Sequence, residues 1–221
     1  MSGRLGATAH RCPLCWTDGA RPFYRERHRP YLRCERCWLT FIPAPWHLDP
    51  EAERARYDLH ENDAEDFGYR AYLAPLVEAL VGVLSPGARG LDFGCGPGPA
   101  LPSMLEANGF QVALFDPFFA PDPRTLEHRY DFVACTETVE HFCRPDRSFA
   151  ALDGLLKPGA TLGIMTVVLT DEVRFPGWHY IQDPTHVAFY RPETLAWIAE
   201  HWGWTLDLQL PRVVLFRKGP G

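Results

Sequence analysis

The segment Leu91-Asp92-Phe93-Gly94-Cys95-Gly96-Pro97-Gly98 constrains this chain more than any other. A predicted apolar strand, 88–93, runs into a turn of three alternating glycines and then into a predicted helix, 99–108. Removing side chains at such a turn lets a ligand lie directly on the backbone at a helix start. A second apolar strand, 111–116, ends in Asp116, an acidic side chain suited to accept hydrogen bonds from a ribose diol. The order continues with strand 131–136, helix 146–156, strand 160–168, helix 192–202 and strands 204–210 and 212–217. This alternation predicts an α/β fold, a Rossmann-like, mostly parallel sheet with helices on both faces and an antiparallel edge at its end.

The class of ligand follows by subtraction. A dinucleotide fingerprint needs glycine where Pro99 stands. A P-loop needs Gly-Lys-Ser/Thr, yet the only lysines are Lys157 and Lys218. What remains is a cofactor with ribose and adenine but no phosphate. Asp92-x-Gly94-x-Gly96-x-Gly98 resembles the first motif of class I S-adenosylmethionine (SAM)-dependent methyltransferases. Phe115-Asp116-Pro117, the stretch Tyr130 to Phe142 and the stretch Leu155 to Thr166 resemble that family's later motifs, in the same order. The resemblance implies SAM held by Asp92, Gly94, Gly96, Gly98, Asp116, Thr136 and Glu137, with backbone from Cys135 to Glu137 walling its methionine part. It departs between Pro117 and Tyr130, where a short Pro-rich segment replaces the helix, strand and acidic loop that usually cradle adenine. The third strand is therefore expected to be shortened or missing, and no adenine contact is assigned.

Cys12-Pro-Leu-Cys15 and Cys34-Glu-Arg-Cys37 form two paired-cysteine turns, the pattern of a tetrahedral zinc site built from two knuckles. The segment resembles zinc-binding N-terminal modules of some bacterial methyltransferases, with Trp16 and Trp38 where glycine often follows a knuckle. His10 and His28 are spare ligands by type, but four thiolates complete the shell and the site reads as structural. Residues 1–48 hold eight arginines against three acidic residues, whereas the remainder holds 14 basic and 25 acidic ones, giving +5 and −11, or −6 in all. The asymmetry predicts a basic zinc ribbon at 1–48, a helical linker with cofactor-capping helices at 49–87, and the methyltransferase domain at 88–221. Tyr57, Phe67 and Tyr69 in the linker read either as capping aromatics or as helix packing. The ribbon is expected to melt on zinc loss while the catalytic domain stays folded. With Trp16, Tyr24, Tyr31 and Trp38 it reads as a packing or substrate-capping module, or as an RNA-binding one.

Glu137-Thr-Val-Glu140-His141 follows the strand 131–136, at the sheet end where open α/β folds bind ligands. It resembles the metal-binding motif of small-RNA 2′-O-methyltransferases and ubiquinone-pathway O-methyltransferases, which add a histidine from a later loop. His186, just before the last helix, fits that role. Glu137, Glu140, His141 and His186 are thus candidate ligands of a second divalent metal that would acidify a substrate oxygen. The alternative leaves His141 packed without metal. His141 and His186 are the candidate catalytic residues, with His179 as base where no metal is bound. His179 lies in an aromatic loop, 175–183, whose length predicts an active-site lid and whose Trp178 and Tyr180, like Tyr190 beyond it, also suit a core.

The expected function is SAM-dependent methyl transfer to a small molecule, at oxygen. The alternatives are an rRNA or tRNA methyltransferase whose ribbon binds RNA, and a non-catalytic SAM-fold adaptor. No apolar run reaches the roughly 18 residues of a membrane span, so no membrane partner is expected. The opening lacks an apolar signal segment, and the cysteines read as thiols and metal ligands, which together predict the cytoplasm. The sequence does not fix an oligomeric state.

Overall fold

A computed structural model describes residues 10–59, 63–209 and 211–221. Arg4, the rest of the opening segment and the last residue of the expected strand 204–210 lie outside the described residues.

The main sheet contains β4 (Arg89–Phe93), β5 (Gln111–Phe115), β6 (Tyr130–Thr136), β7 (Leu156–Met165), β9 (Trp204–Gln209) and β10 (Val213–Lys218), in the order β5-β4-β6-β7-β10-β9. The pairs β4–β5, β4–β6 and β6–β7 are parallel. Phe132, Val133, Ala134 and Cys135 of β6 are buried, as a strand covered on both faces requires. Helices α2 (Phe67–Val83) and α3 (Leu101–Glu106) close one core with Leu73, Leu76, Leu80, Leu101 and Leu105. On the opposite face α4 (Pro145–Leu155) and α5 (Pro192–Trp202) bring in Phe149, Leu152, Leu195 and Ile198. Between β5 and β6 there is only a 3₁₀ turn, Pro123–Glu127, so β5 is an edge strand.

The sheet ends in antiparallel pairs, as the sequence suggests. β10 is reversed and lies inside, between β7 and β9. The burial pattern gives the reason. Val213, Val214, Leu215 and Phe216 are all buried and suit an interior strand, whereas β9 after Trp204 alternates exposed and half-buried positions and suits an edge.

The N-terminal part forms a second sheet from β1 (Arg21–Glu26), β2 (Arg29–Arg33) and β3 (Thr40–Phe41). Its fourth strand, β8 (Ala188–Phe189), comes from the segment just before α5. Thr40 pairs with Phe189 and Phe41 with Ala188, and the Ile42 amide donates to the Val187 carbonyl at 2.9 Å. Leu14, Leu32, Leu39 and Phe41 join the hydrophobic cluster that contains β6 and α4. The N-terminal part thus shares both sheet and core with residues further along the chain. After it, α1 (Pro50–Tyr57) is capped by Asp49, whose carboxylate accepts from the Ala52 amide.

Each knuckle closes through tryptophan. The Trp16 amide donates to the Cys12 carbonyl and the Trp38 amide to the Cys34 carbonyl, both at 3.1 Å. With φ of 56° and 61°, the two tryptophans adopt the left-handed conformation a glycine would take there. Trp16 also docks the ribbon on α4. Its indole N–H donates to Asp146 at 2.6 Å, and the Arg144 guanidinium lies 4.4 Å from its ring.

Candidate active site

The carboxyl ends of β4, β5 and β6 open into a cavity of about 1140 Å³, larger than one drug-sized ligand needs. At one end lies the glycine turn. Gly94 has φ +79° and an added Cβ there would lie 2.3 Å from Thr138, so only glycine fits. Gly96 has φ +66°, and an added Cβ would meet no heavy atom within 4 Å, which leaves a bare cradle. Asp116 closes this end. Its carboxylate accepts from the Gly96 amide at 3.1 Å and from the Phe118 and Phe119 amides at 2.8 and 3.1 Å. Phe118, Thr136 and Glu137 stand on the same wall. Gly98 lies outside the wall, beyond Pro97. Asp92 lies outside it too. It is enclosed, its Oδ1 meets no donor among the described residues, and burial followed by the Asp116 charge pushes its carboxyl up to about 7.

The far end is assembled from three separate segments. Glu140, His141 and His186 each place a ligand atom within 4.8 Å of the others. His141 Nδ1 faces the Thr185 carbonyl at 3.2 Å and His186 Nδ1 the Tyr180 carbonyl at 2.7 Å. Donation to those carbonyls puts the lone pair on Nε2 of each ring, the arrangement that orients a ligating histidine. Glu140 is fully buried. The Tyr180 hydroxyl donates to its Oε1 and Thr166 to its Oε2 at 3.1 Å. Burial, and then the Glu137 charge, raises Glu140 well above the usual carboxylate range.

Glu137 does not join that trio. Tyr72 donates to it at 2.9 Å, and the Tyr180 hydroxyl lies 3.3 Å from its other oxygen. Its φ of +46° is unusual for a side-chain-bearing residue, and its carboxyl bonds the Glu140 side chain while lining the cavity beside Thr136. Of the four residues expected to share a metal, Glu140, His141 and His186 bring ligand atoms within 4.8 Å of one another, with Glu137 beside Glu140. Tyr57 lines the space between the two ends, its ring 5.8 Å from Phe118 and 5.3 Å edge-on to His141. Tyr69 lines the cavity as well, whereas Phe67 is 86% exposed and does not. His179 is exposed on the rim.

The aromatic loop, read from the sequence as a lid, packs into the fold and lines the cavity through His179 and Tyr180. Phe175, Trp178, Tyr180 and Ile181 are buried with Tyr31 of β2 and Phe189 of β8. Tyr190 is a core residue whose hydroxyl donates to the Val139 carbonyl at 2.9 Å. Asp183 ties the loop to α1 through Arg56 at 3.1 Å. Burial opposes its charge, but hydrogen bonds from Thr185 and Arg56 prevail and hold it down to about 2. The Tyr180 and Tyr72 hydroxyls and Thr166 escape a reading of sequence because no local spacing links them to Glu137 or Glu140.

In the ribbon, the sulfurs of Cys12 and Cys37 lie 3.5 Å apart, as do those of Cys15 and Cys34, and all four fall within 4.8 Å of one another. Tetrahedral zinc with bonds of about 2.3 Å requires sulfur separations of about 3.8 Å, so the four thiols fit such an ion. Hydrogen bonding with Cys12 draws both Cys15 and Cys34 toward thiolate.

A family model described as a methyltransferase domain matches residues 66–209. No curated protein matches. Among solved structures, an O-methyltransferase family protein from Burkholderia thailandensis is similar at 16% identity with a TM-score of 0.55, covering 76% of this chain and 63% of that one. This chain thus spans less than two thirds of that protein. A 1,6-didemethyltoxoflavin-N1-methyltransferase from the same organism, with bound S-adenosylhomocysteine, is 17% identical with a TM-score of 0.53, covering 90% of this chain and 100% of that one. A methyltransferase in calicheamicin biosynthesis, in its S-adenosylhomocysteine-bound form, is 16% identical with a TM-score of 0.51, covering 78% and 59%. These likenesses establish the fold. No helix among the described residues is long and apolar enough to cross a membrane. The family match spans the glycine turn, Asp116, the Glu140–His141 segment and His186, and by it the chain belongs to the methyltransferase-domain family and is an enzyme of methyl transfer.

Proposed function

We propose that this enzyme carries a methyl group from SAM to an oxygen of a small molecule, with Glu140, His141 and His186 holding a divalent ion beside the acceptor. One observation carries the reading: a single cavity, large enough for two ligands, is lined by the glycine cradle and Asp116 and also by His141 and His186, with Glu140 buried beside the two histidines. SAM supplies an electrophilic methyl group on a sulfonium sulfur, so the protein's part is alignment and proton handling. Gly96 admits the cofactor to the backbone, and Asp116, fixed by three amides, presents a carboxylate to its ribose. One carboxylate and two imidazoles suit a divalent cation, which would lower the pKa of an acceptor hydroxyl. His179 on the rim is the remaining candidate base. Cys12, Cys15, Cys34 and Cys37 hold structural zinc in this reading.

A small molecule is favoured over RNA because no described residue of the ribbon lines the cavity. Within the ribbon, Arg29 and Arg33 are taken up by internal partners, while Arg11, Arg21, Arg25, Arg27 and Arg36 face solvent. The test is transfer of labelled methyl from SAM to fractionated cell extract, with and without chelator, beside calorimetry of SAM on Gly96→Val. The reading expects label in the small-molecule fraction, lost with chelator, and SAM binding lost in the variant. Label in RNA would move the assignment to the RNA reading, chelator-insensitive transfer would remove the catalytic metal, and unchanged SAM affinity in Gly96→Val would remove the cofactor site.

A further inference from the structure

The hairpin β1–β2 reaches across to the far end of the cavity. At its tip, Arg29 donates to the carbonyls of Ile181 at 3.4 Å, Asp183 at 3.1 Å, Pro184 at 2.9 Å and His186 at 3.0 Å. Four carbonyl oxygens from one short segment therefore converge on a single guanidinium. Such oxygens repel one another and are costly to bury without a donor, and a planar cation with five N–H groups is the side chain that can serve all of them. Next to it, the Tyr31 hydroxyl donates to the Ile181 carbonyl at 3.3 Å, while the Tyr31 ring lies edge-on to Phe175 at 5.1 Å. The segment fixed in this way is the one that supplies Tyr180 to Glu140 and His186 to the trio.

We infer that Arg29 is a positioning residue for the acceptor end: by gathering the carbonyls of 181–186 it sets His186 and Tyr180 against Glu140 and His141. The ribbon then works as a splint for the active site, and its best-placed arginine is spent on the protein's own backbone. The inference rests on the reading of Glu140, His141 and His186 as the acceptor end, and the experiment separates the two. Arg29→Met, Arg29→Lys and Arg29→Ala are compared with wild type in the full, zinc-loaded chain by hydrogen exchange, by titration with Mn²⁺ alone and by titration with SAM.

In Arg29→Met, exchange of the Ile181, His186 and Val187 amides should quicken by about tenfold or more, while β4, β6 and β7 keep their protection. Mn²⁺ affinity should fall by about tenfold or more, while SAM affinity stays within about twofold, since no residue of the glycine turn touches this segment. Millimolar guanidinium ion should restore protection to Arg29→Ala, an effect that loss of packing alone cannot produce. Arg29→Lys, with one point charge for four carbonyls, should fall short of wild type. Unchanged exchange at 181–187 in Arg29→Met would overturn the inference, as would equal loosening of the whole sheet or no response to guanidinium. Failure of wild type to bind Mn²⁺ would overturn the metal reading instead, and the exchange and rescue results would still decide the role of Arg29.

Discussion

The two ends of the cavity are built in opposite ways. The glycine end comes mainly from one β4-turn-α3 unit and the tip of β5, residues 89–119, with Thr138 after the neighbouring β6 packed on Gly94. The histidine end draws on α2 through Tyr72, on the turn after β6, on the aromatic loop and on a ribbon hairpin more than 150 residues away from it in sequence. A site closed by one local unit keeps its shape as long as its strand and helix hold. A site assembled from distant segments depends on each of its supports, the ribbon among them.

The sharpest test of that contrast is Cys34→Ser. A structural zinc contributes on the order of 10 kcal/mol, comparable with the whole stability of a domain. Because β3 pairs with β8 and the ribbon shares its core with α4, loss of zinc should loosen the histidine end together with the ribbon. Elemental analysis should give one zinc per wild-type chain and none in the variant. Hydrogen exchange should show residues 175–190 deprotected. A variant whose loop 175–190 exchanges as in wild type would break the comparison and restore an independent ribbon.

Asp92 gives the next largest effect, and it belongs to the glycine end. Its carboxyl is raised to about 7 in the folded protein against about 3.9 in an unfolded chain, so the native state holds the proton more tightly. The resulting stability is full below about pH 4 and is lost as pH rises toward 7. Asp92→Asn has no charge to bury there. Its stability relative to wild type should rise across this window by up to about 4 kcal/mol, because each pH step between the unfolded and folded pKa is worth about 1.4 kcal/mol. Urea midpoints at pH 4 and pH 8 in ligand-free protein measure it, and a constant difference between the two proteins would refute it.

Asp116→Asn should weaken SAM binding by about 2–3 kcal/mol, roughly 30- to 150-fold, because the turn loses charge-assisted bonds as well as its contact to ribose. Calorimetry checks this, and the same variant should leave Mn²⁺ binding at the other end unchanged if the two ends are separate. The smallest effect is expected for Trp16→Phe, which loses the bond to Asp146 and should cost about 1 kcal/mol in thermal unfolding. An effect several times larger would mean that this one contact governs ribbon docking.

The same contrast explains what the sequence reveals. The strands at 89–93, 111–115 and 130–136 are written in runs of apolar residues, and the turn at Gly94 and Gly96 in residues that few other side chains could replace. The missing third strand is legible from the shortness of the Pro117–Tyr130 segment. Paired cysteines announce their cluster by spacing alone. Glu140, His141 and His186 can be picked out by residue type, but the positive φ of Glu137 and the bonds that hold its carboxyl are encoded by no spacing. Arg29 looks like any surface arginine in the sequence, and only the folded chain brings four carbonyls to it. The place of β10 inside the sheet likewise follows from which strand buries more of its residues, a property of the finished packing.

The pairing of Phe41 with Ala188 has a consequence in time. During synthesis the four cysteines emerge early, but the strand that completes their sheet lies 147 residues later. At about 5–20 residues per second, the ribbon waits roughly 7–30 s with one edge unpaired. If the cluster takes zinc, the ion can enter throughout that interval, before the loop bearing His186 leaves the ribosome. Completion of the ribbon's sheet and arrival of the last part of the candidate site are thus one event.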